Sequence, residues 1–434
     1  MKKLFLLFAF VFALFGITTN AHAVDYYFTV TTTNQTSDYW AFRFSISAKG
    51  TFYVDCGTDG RLSRVSGGSA TVSGVTITKT GNVTAATFKC QYTSSGSKTI
   101  QFGGRATAYN TGGGTAALTF YVQDSNYIFC TTFISSISGN LSTIFPYLGS
   151  SAGQYPSFNQ AFYNATNLTS IPDTLFSGYT SSMPYIFQQM FCGCTGLTSI
   201  PENLFNFGGN NVSGQKRMFY ETFNGCTSLT SIPENLFQRV TSGADSLFAG
   251  TFANCTGLTS IPENLFNFGG NNVSGQSNML AATFAGCTGL TSIPENIFRR
   301  VTSVISTSSG LFYGTFYGCT NITGYIPPST FSGLIANGSP TQTIMWLDTF
   351  ANTQLVTSCP TGTHQYFTGY EGEDTSTYTK WNGYVSCEPG IKLTWDGSSG
   401  TPSMCSWGGT FVPPTPAARP GYRFTGWKVK TINP

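Results

Sequence analysis

The chain has 434 residues, of which 9% are charged, 15% are aromatic and only two are histidine, and its formal net charge is +3. So little charge leaves no basic footprint for nucleic acid and little attraction to an anionic membrane surface. Gly, Ser, Thr and Asn take over the solubilising role, a balance expected of an exported β-rich or repeat protein, and the aromatic content suffices for a core.

The chain opens like a secretory signal over residues 1–23. Lys2 and Lys3 form a charged start, Leu4 to Phe15 an apolar run, and Ala21-His22-Ala23 a small-x-small cleavage site. The run falls short of the roughly 20 residues a spanning helix needs, so removal after Ala23 is expected, with no membrane span in the mature chain. No Cys follows that site, which argues against a lipid anchor. His364 is then the one histidine left, and in its Gly/Thr context it reads as solvated. Triads and zinc sites draw on His, so the expectation is no catalytic residue, no metal and no cofactor.

Residues 24–127 read as an all-β module. Runs of period two at Tyr27 to Thr31, Phe42 to Ile46 and Leu118 to Val122 are separated by turn-forming clusters, as in a β-sandwich. Within it, Asp55-Cys56-Gly57-Thr58-Asp59-Gly60 is followed by Phe88-Lys89-Cys90-Gln91-Tyr92. These segments resemble the polycystic-kidney-disease-like sandwich that precedes the repeats of many bacterial BspA-like surface proteins. In that family the first segment carries Trp where Cys56 stands, and the second carries His where Cys90 stands. The resemblance places both side chains in the same interior, and in an exported protein the paired replacement implies a Cys56–Cys90 disulfide.

Residues 128–358 carry a repeated phrase, Phe-x-x-Cys-Thr-x-Leu-Thr-Ser-Ile-Pro-Glu-Asn, beginning at Phe191, Phe223, Phe252 and Phe284. A looser copy begins at Phe162 and eroded ones at Phe316 and Phe350; from Phe162 to Phe316 the intervals are 29, 32, 29, 32 and 32 residues. Such a period signals a solenoid, whose units bury their apolar faces only against one another. The expected coil is a helical turn carrying Phe and Cys, a brief strand at Leu-Thr-Ser-Ile, and a second turn opened by Pro-Glu-Asn. Phe191, Phe223, Phe252, Phe284 and Phe316, with Cys194, Cys226, Cys255, Cys287 and Cys319, form the expected core ladders. A small apolar plug explains the cysteines better than a zinc site, whose ligands converge, or a chain of disulfides. The phrase resembles the BspA-like class of leucine-rich repeat.

Residues 194–215 and 255–276 are identical, so a two-repeat block has been duplicated. Between the copies, Lys216-Arg217-Met218-Phe219-Tyr220-Glu221 corresponds to Ser277-Asn278-Met279-Leu280-Ala281-Ala282. Lys216, Arg217, Tyr220 and Glu221 are therefore a possible contact surface, or an exposed edge that has drifted. Glu202, Glu234, Glu263 and Glu295 form a carboxylate column; a glycosidase pair or a weak cation site is conceivable there, but the positive end of a helical turn already accounts for each.

Cys359 and Cys387 bracket a polar connector, residues 359–389, with little core of its own, and a second disulfide is expected there. Residues 390–434 end in Gly421-Tyr422-Arg423-Phe424-Thr425-Gly426-Trp427 and resemble the Listeria–Bacteroides repeat of internalin B, a small β module. The expected fold is thus mixed and β-rich: sandwich, leucine-rich-repeat solenoid, connector and β module. The resemblance to BspA-like proteins implies a secreted or surface-held bacterial protein that binds host matrix, mucosal glycoprotein or other cells. Its partner is then a protein or glycan outside the cell. Alternatives are an extracellular glycan-acting enzyme or accessory protein, and a structural spacer.

Overall fold

The computed structural model describes residues 24–36, 40–110, 115–122, 129–304, 309–336 and 347–356, and the backbone of 363–367, 386–389, 391–393 and 403–405. The signal segment lies outside these residues, as do the side chains of Cys359 and Cys387 and the Gly421 to Trp427 ending. Strands dominate: one short α-helix, Ser332–Ala336, is found among the described residues, and none is long and apolar enough to cross a membrane.

Ten strands precede the repeats: β1 (Tyr26–Thr32), β2 (Ala41–Ile46), β3 (Lys49–Asp55), β4 (Gly60–Gly67), β5 (Thr71–Ser73), β6 (Thr76–Lys79), β7 (Ala86–Tyr92), β8 (Thr99–Ala108), β9 (Leu118–Thr119) and β10 (Ile134–Gly139). They form two antiparallel sheets, ordered β10-β1-β8-β3-β6-β5 and β4-β7-β2-β9. Period-two patterning builds the space between them, since alternate side chains of a strand share a face. In β7, for example, Ala86, Phe88, Cys90 and Tyr92 are buried while the residues between them are not. Phe44 of the smaller sheet meets Phe102 of the larger edge-on at 5.2 Å. β10 lies past residue 127, in sequence counted with the repeats, yet it pairs with β1 from Phe28↔Gly139 to Thr32↔Ile134.

The Cys56–Cys90 disulfide is present, with Cα atoms 5.5 Å apart. It ties the end of β3 to β7 and so staples one sheet to the other. Beside it, Asp59 pairs with Lys98 at 2.7 Å and accepts from Ser94, and the Lys98 bond holds its carboxyl below the usual range. A depressed carboxylate pKa stabilises the folded state above the ordinary carboxylate range and ceases to do so as pH falls through it. Asp59→Asn is therefore expected to cost up to about 1 kcal/mol at pH 7 and progressively less as pH falls through the depressed carboxyl, read from urea midpoints.

The repeats stack directly on these sheets. Phe120 N–H donates to Ala161 O, and the Phe120 ring stacks on Phe162 at 5.4 Å, so the chain after β9 serves as a rung beneath the first repeat. From there the Phe rings climb through Phe191, Phe223, Phe252, Phe284, Phe316 and Phe350 at 5.5 to 5.8 Å, nearly parallel throughout. A second column runs through Phe176, Phe205, Phe237, Phe266, Phe298 and Phe331.

The strand expected at Leu-Thr-Ser-Ile does not form in the regular repeats. Leu197 and Ile200 are both buried, and a strand would turn residues three apart to opposite faces. Among the described residues, parallel pairing at that position appears only in the last two rungs, Thr323–Gly324 with Gln354–Leu355. The ladder runs through the Phe–Cys segment itself, which is a ribbon of turns. In the rung of Phe223, the N–H groups of Arg217, Phe219, Glu221, Phe223 and Gly225 donate to the next rung, at Asp245, Leu247, Ala249, Thr251 and Ala253. The N–H groups between them close turns onto the residue three back, as Cys226 does onto Phe223. Both halves of the backbone are thereby satisfied. The pattern places every fourth residue in the left-handed region: Arg217 at φ 52°, Glu221 at φ 50° and Gly225 at φ 74°.

Candidate functional site

The turn ribbon sorts its side chains into an inward and an outward set. Inward lie the Phe and Cys ladders, all buried. Each thiol donates to the carbonyl of a Phe one rung back: Cys194 to Phe162 at 3.2 Å, Cys226 to Phe191 at 3.3 Å, Cys255 to Phe223 at 3.2 Å, Cys287 to Phe252 at 3.0 Å and Cys319 to Phe284 at 3.0 Å. Burial pushes all five thiols up, Cys255 and Cys319 to about 12. A buried neutral thiol is a poor nucleophile and a poor metal ligand. Native protein at pH 8 should therefore resist alkylation along the ladder, whereas denaturation without reductant should release at least seven thiols, the five plus Cys130 and Cys192. A denatured count near zero would contradict the ladder.

One inward residue escaped the sequence reading. Thr222, Thr251, Thr283, Thr315 and Thr349 precede the ring-stack Phe, are fully buried, and donate to carbonyls of the rung before, as Thr251 does to Phe219 O at 2.8 Å. The Thr-Phe dipeptide was the available signal.

The carboxylate column lies on another side of the coil. Glu202, Glu234, Glu263 and Glu295 are all exposed. The first three accept from the Asn one repeat on, Asn235 at 3.0 Å, Asn264 at 2.8 Å and Asn296 at 2.7 Å. None of the four is set apart from the others by burial, and no group of three or more potential ligands converges among the described residues.

The outward set is where the rungs differ. Hydrogen-bond register aligns Gln160, Gln189, Glu221, Gly250, Ala282, Gly314 and Asp348 in one column. Gln160 donates to Gln189 at 3.0 Å and Gln189 to Glu221 at 2.7 Å, a polar relay that stops at Glu221. In the columns of Tyr220, Glu221 and Asn224 the next two rungs carry only small residues: Ala249, Gly250 and Ala253, all buried, then Ala281, buried, with Ala282 and Ala285 half-buried. A Cβ on Gly250 would come within 2.8 Å of Glu221 Cγ, so glycine lets that carboxylate lie across the rung. Beyond, Tyr313 and Tyr317 stand 44% and 46% exposed, and Asp348 follows one rung later. The result is a shallow trough whose accessible floor is the half-buried Ala282 and Ala285, walled by the two tyrosines and Asp348, while the small residues nearer Tyr220 and Glu221 are buried. At the tyrosine end it deepens into a cavity of about 240 Å³ lined by Ala282, Ala285, Tyr313, Gly314, Tyr317 and Asp348.

Of the residues the sequence offered as a contact surface, Tyr220 and Glu221 lie on the rung before the small residues. Arg217 lies over the Tyr220 ring at 5.2 Å, and Lys216 beside it is exposed. Tyr313, Tyr317 and Asp348 were not foreseen, because they fall in the eroded copies where the phrase is hardest to align. No family model, curated protein or solved structure matches the chain.

Proposed function

We propose that this is an exported surface protein of the BspA-like leucine-rich-repeat kind, a solenoid carried on a polycystic-kidney-disease-like sandwich, and that it binds a macromolecule outside the cell through the trough of its turn ribbon. The candidate partners are host matrix, mucosal glycoprotein and the surfaces of other cells. The observation that carries this reading is the trough. On a stack whose inward residues repeat faithfully, the outward residues change together into a small-residue floor walled by aromatics. Aromatics that are rigid, amphipathic and exposed are the residues that anchor interfaces. A floor of alanine and glycine lets a ligand approach the backbone closely. The buried thiols and the evenly exposed glutamates offer no activated nucleophile or acid–base pair, which supports binding over catalysis.

The test is retention of the exported protein on arrays of matrix proteins and glycans, compared with Ala285→Trp, which fills the trough from an outward position. Retention that the substitution abolishes, with the melting transition unchanged, supports the proposal. Retention indifferent to it moves the contact to another face. Release of a shortened glycan favours the enzyme, and silence on every array favours the spacer.

A further inference from the structure

The ring stack repeats one outward aromatic position with its cation removed. In the rung of Phe223, Tyr220 holds a cation supplied by the chain itself, for the Arg217 guanidinium lies over its ring at 5.2 Å, while the neighbouring Glu221 carboxylate accepts from Gln189. That distance is within reach of the ring quadrupole, which attracts cations to the aromatic face. Three rungs on, the register places Tyr313 in the column of Tyr220 and Gly310 in the column of Arg217. Tyr317 adds a second ring where Asn224 stood. The carboxylate reappears as Asp348, in the column of Glu221 but one rung further along. Among the described residues no Lys or Arg pairs with Asp348. The two tyrosines are exposed, and the cavity of about 240 Å³ lies between the three groups.

We infer that this cavity takes a cation from outside: the guanidinium or ammonium group of an arginine or lysine side chain on a partner protein. Two aromatic faces and one carboxylate attract a cation and repel an anion. Its lining of two tyrosine rings, Ala Cβ atoms, Gly backbone and the single Asp348 carboxylate matches one charged head on an alkyl stem. A side chain suits it better than a free ion. This inference rests on the adhesive reading of the same face and narrows its partner to a protein.

The probes are acetyl-Gly-Arg-Gly-amide and its lysine and norleucine counterparts, with tetramethylammonium as the free cation, each titrated calorimetrically into the full exported chain. The arginine and lysine peptides are expected to bind at about millimolar strength, as one anchoring contact allows, and to weaken as salt is raised. Asp348→Asn and Tyr313→Ala should each weaken them about three- to fivefold. A gain-of-occlusion variant tests the comparison between rungs directly. Gly310→Arg places a guanidinium where Arg217 has one, at φ +61° against 52° for Arg217, with only the Asn278 side-chain oxygen in the way of its Cβ. It should abolish peptide binding while the melting transition stays within a few degrees.

Norleucine binding as well as arginine would overturn the inference, as would binding unaffected by both Asp348→Asn and Tyr313→Ala, or no binding at all. Tetramethylammonium binding without the peptides would overturn the protein source. Array retention that survives Asp348→Asn removes the cation and leaves the adhesive reading standing; peptide binding with no macromolecule retained does the reverse.

Discussion

Phe252→Ala is expected to cost about 3 to 5 kcal/mol, the loss typical of deleting a fully buried aromatic ring. Phe252 sits mid-stack between Phe223 and Phe284, 5.8 Å from each with rings within 7° of parallel, and touches Phe237 at 6.2 Å. Neither neighbour can close the gap, because each rung is held in register by hydrogen bonds at Phe252 N–H to Thr283 O and Phe223 N–H to Thr251 O. The damage should spread along the column and fade with distance, since each repeat contacts only its neighbours. Hydrogen exchange should rise at the rungs of Phe223 and Phe284 first and last at β1 to β8. Glu263→Gln is the contrast, for the Asn296 side chain that donates to Glu263 at 2.7 Å keeps an acceptor in the amide. Its expected cost is below about 0.5 kcal/mol. Equal costs for the two substitutions would mean the ring column does not carry the stack.

Much of this was legible in the chain, and the misses have physical causes. The period, the Phe and Cys ladders and the freedom of their thiols follow from one repeated phrase. The Cys56–Cys90 bridge followed from a family resemblance in which two interior positions had both become Cys. The strand at Leu-Thr-Ser-Ile was an error of composition over period. Ile and Thr favour strands, but Phe223, Cys226, Leu229 and Ile232 recur every three residues, and that spacing already required turns. The turn ribbon itself could not be read, because alternation of inter-rung and three-back hydrogen bonds puts non-glycine residues such as Arg217 and Glu221 at positive φ, where residue type gives little warning. The trough needed the register. Only when Ala249, Ala281, Tyr313 and Leu347 are known to share a column with Tyr220 does the run of small residues become a surface feature.

Removing the Cys56–Cys90 bridge, as Cys56→Ala with Cys90→Ala, is expected to cost about 3 to 4 kcal/mol, the chain-entropy value for a closed segment of 34 residues. The two sheets should then unfold at lower denaturant. The effect should reach the first repeat as well, since Phe162 packs on Phe28 of β1 at 6.2 Å and on Phe120, just past β9, at 5.4 Å. Hydrogen exchange at Phe162 and Phe191 should rise, while the rungs of Phe284 and Phe316 should hold. Dithiothreitol should reproduce the shift only slowly in native protein, because Cys56 and Cys90 are 3% and 0% exposed and the bridge must open before it is reduced. Cys255→Ala controls for loss of sulfur alone: it removes a thiol bonded to Phe223 O and should cost about 1 to 2 kcal/mol, centred on its own rung. Two freely alkylated thiols at positions 56 and 90 in non-reduced protein would show that the sheets hold without the staple, and would move the stability of the first rung onto aromatic packing alone.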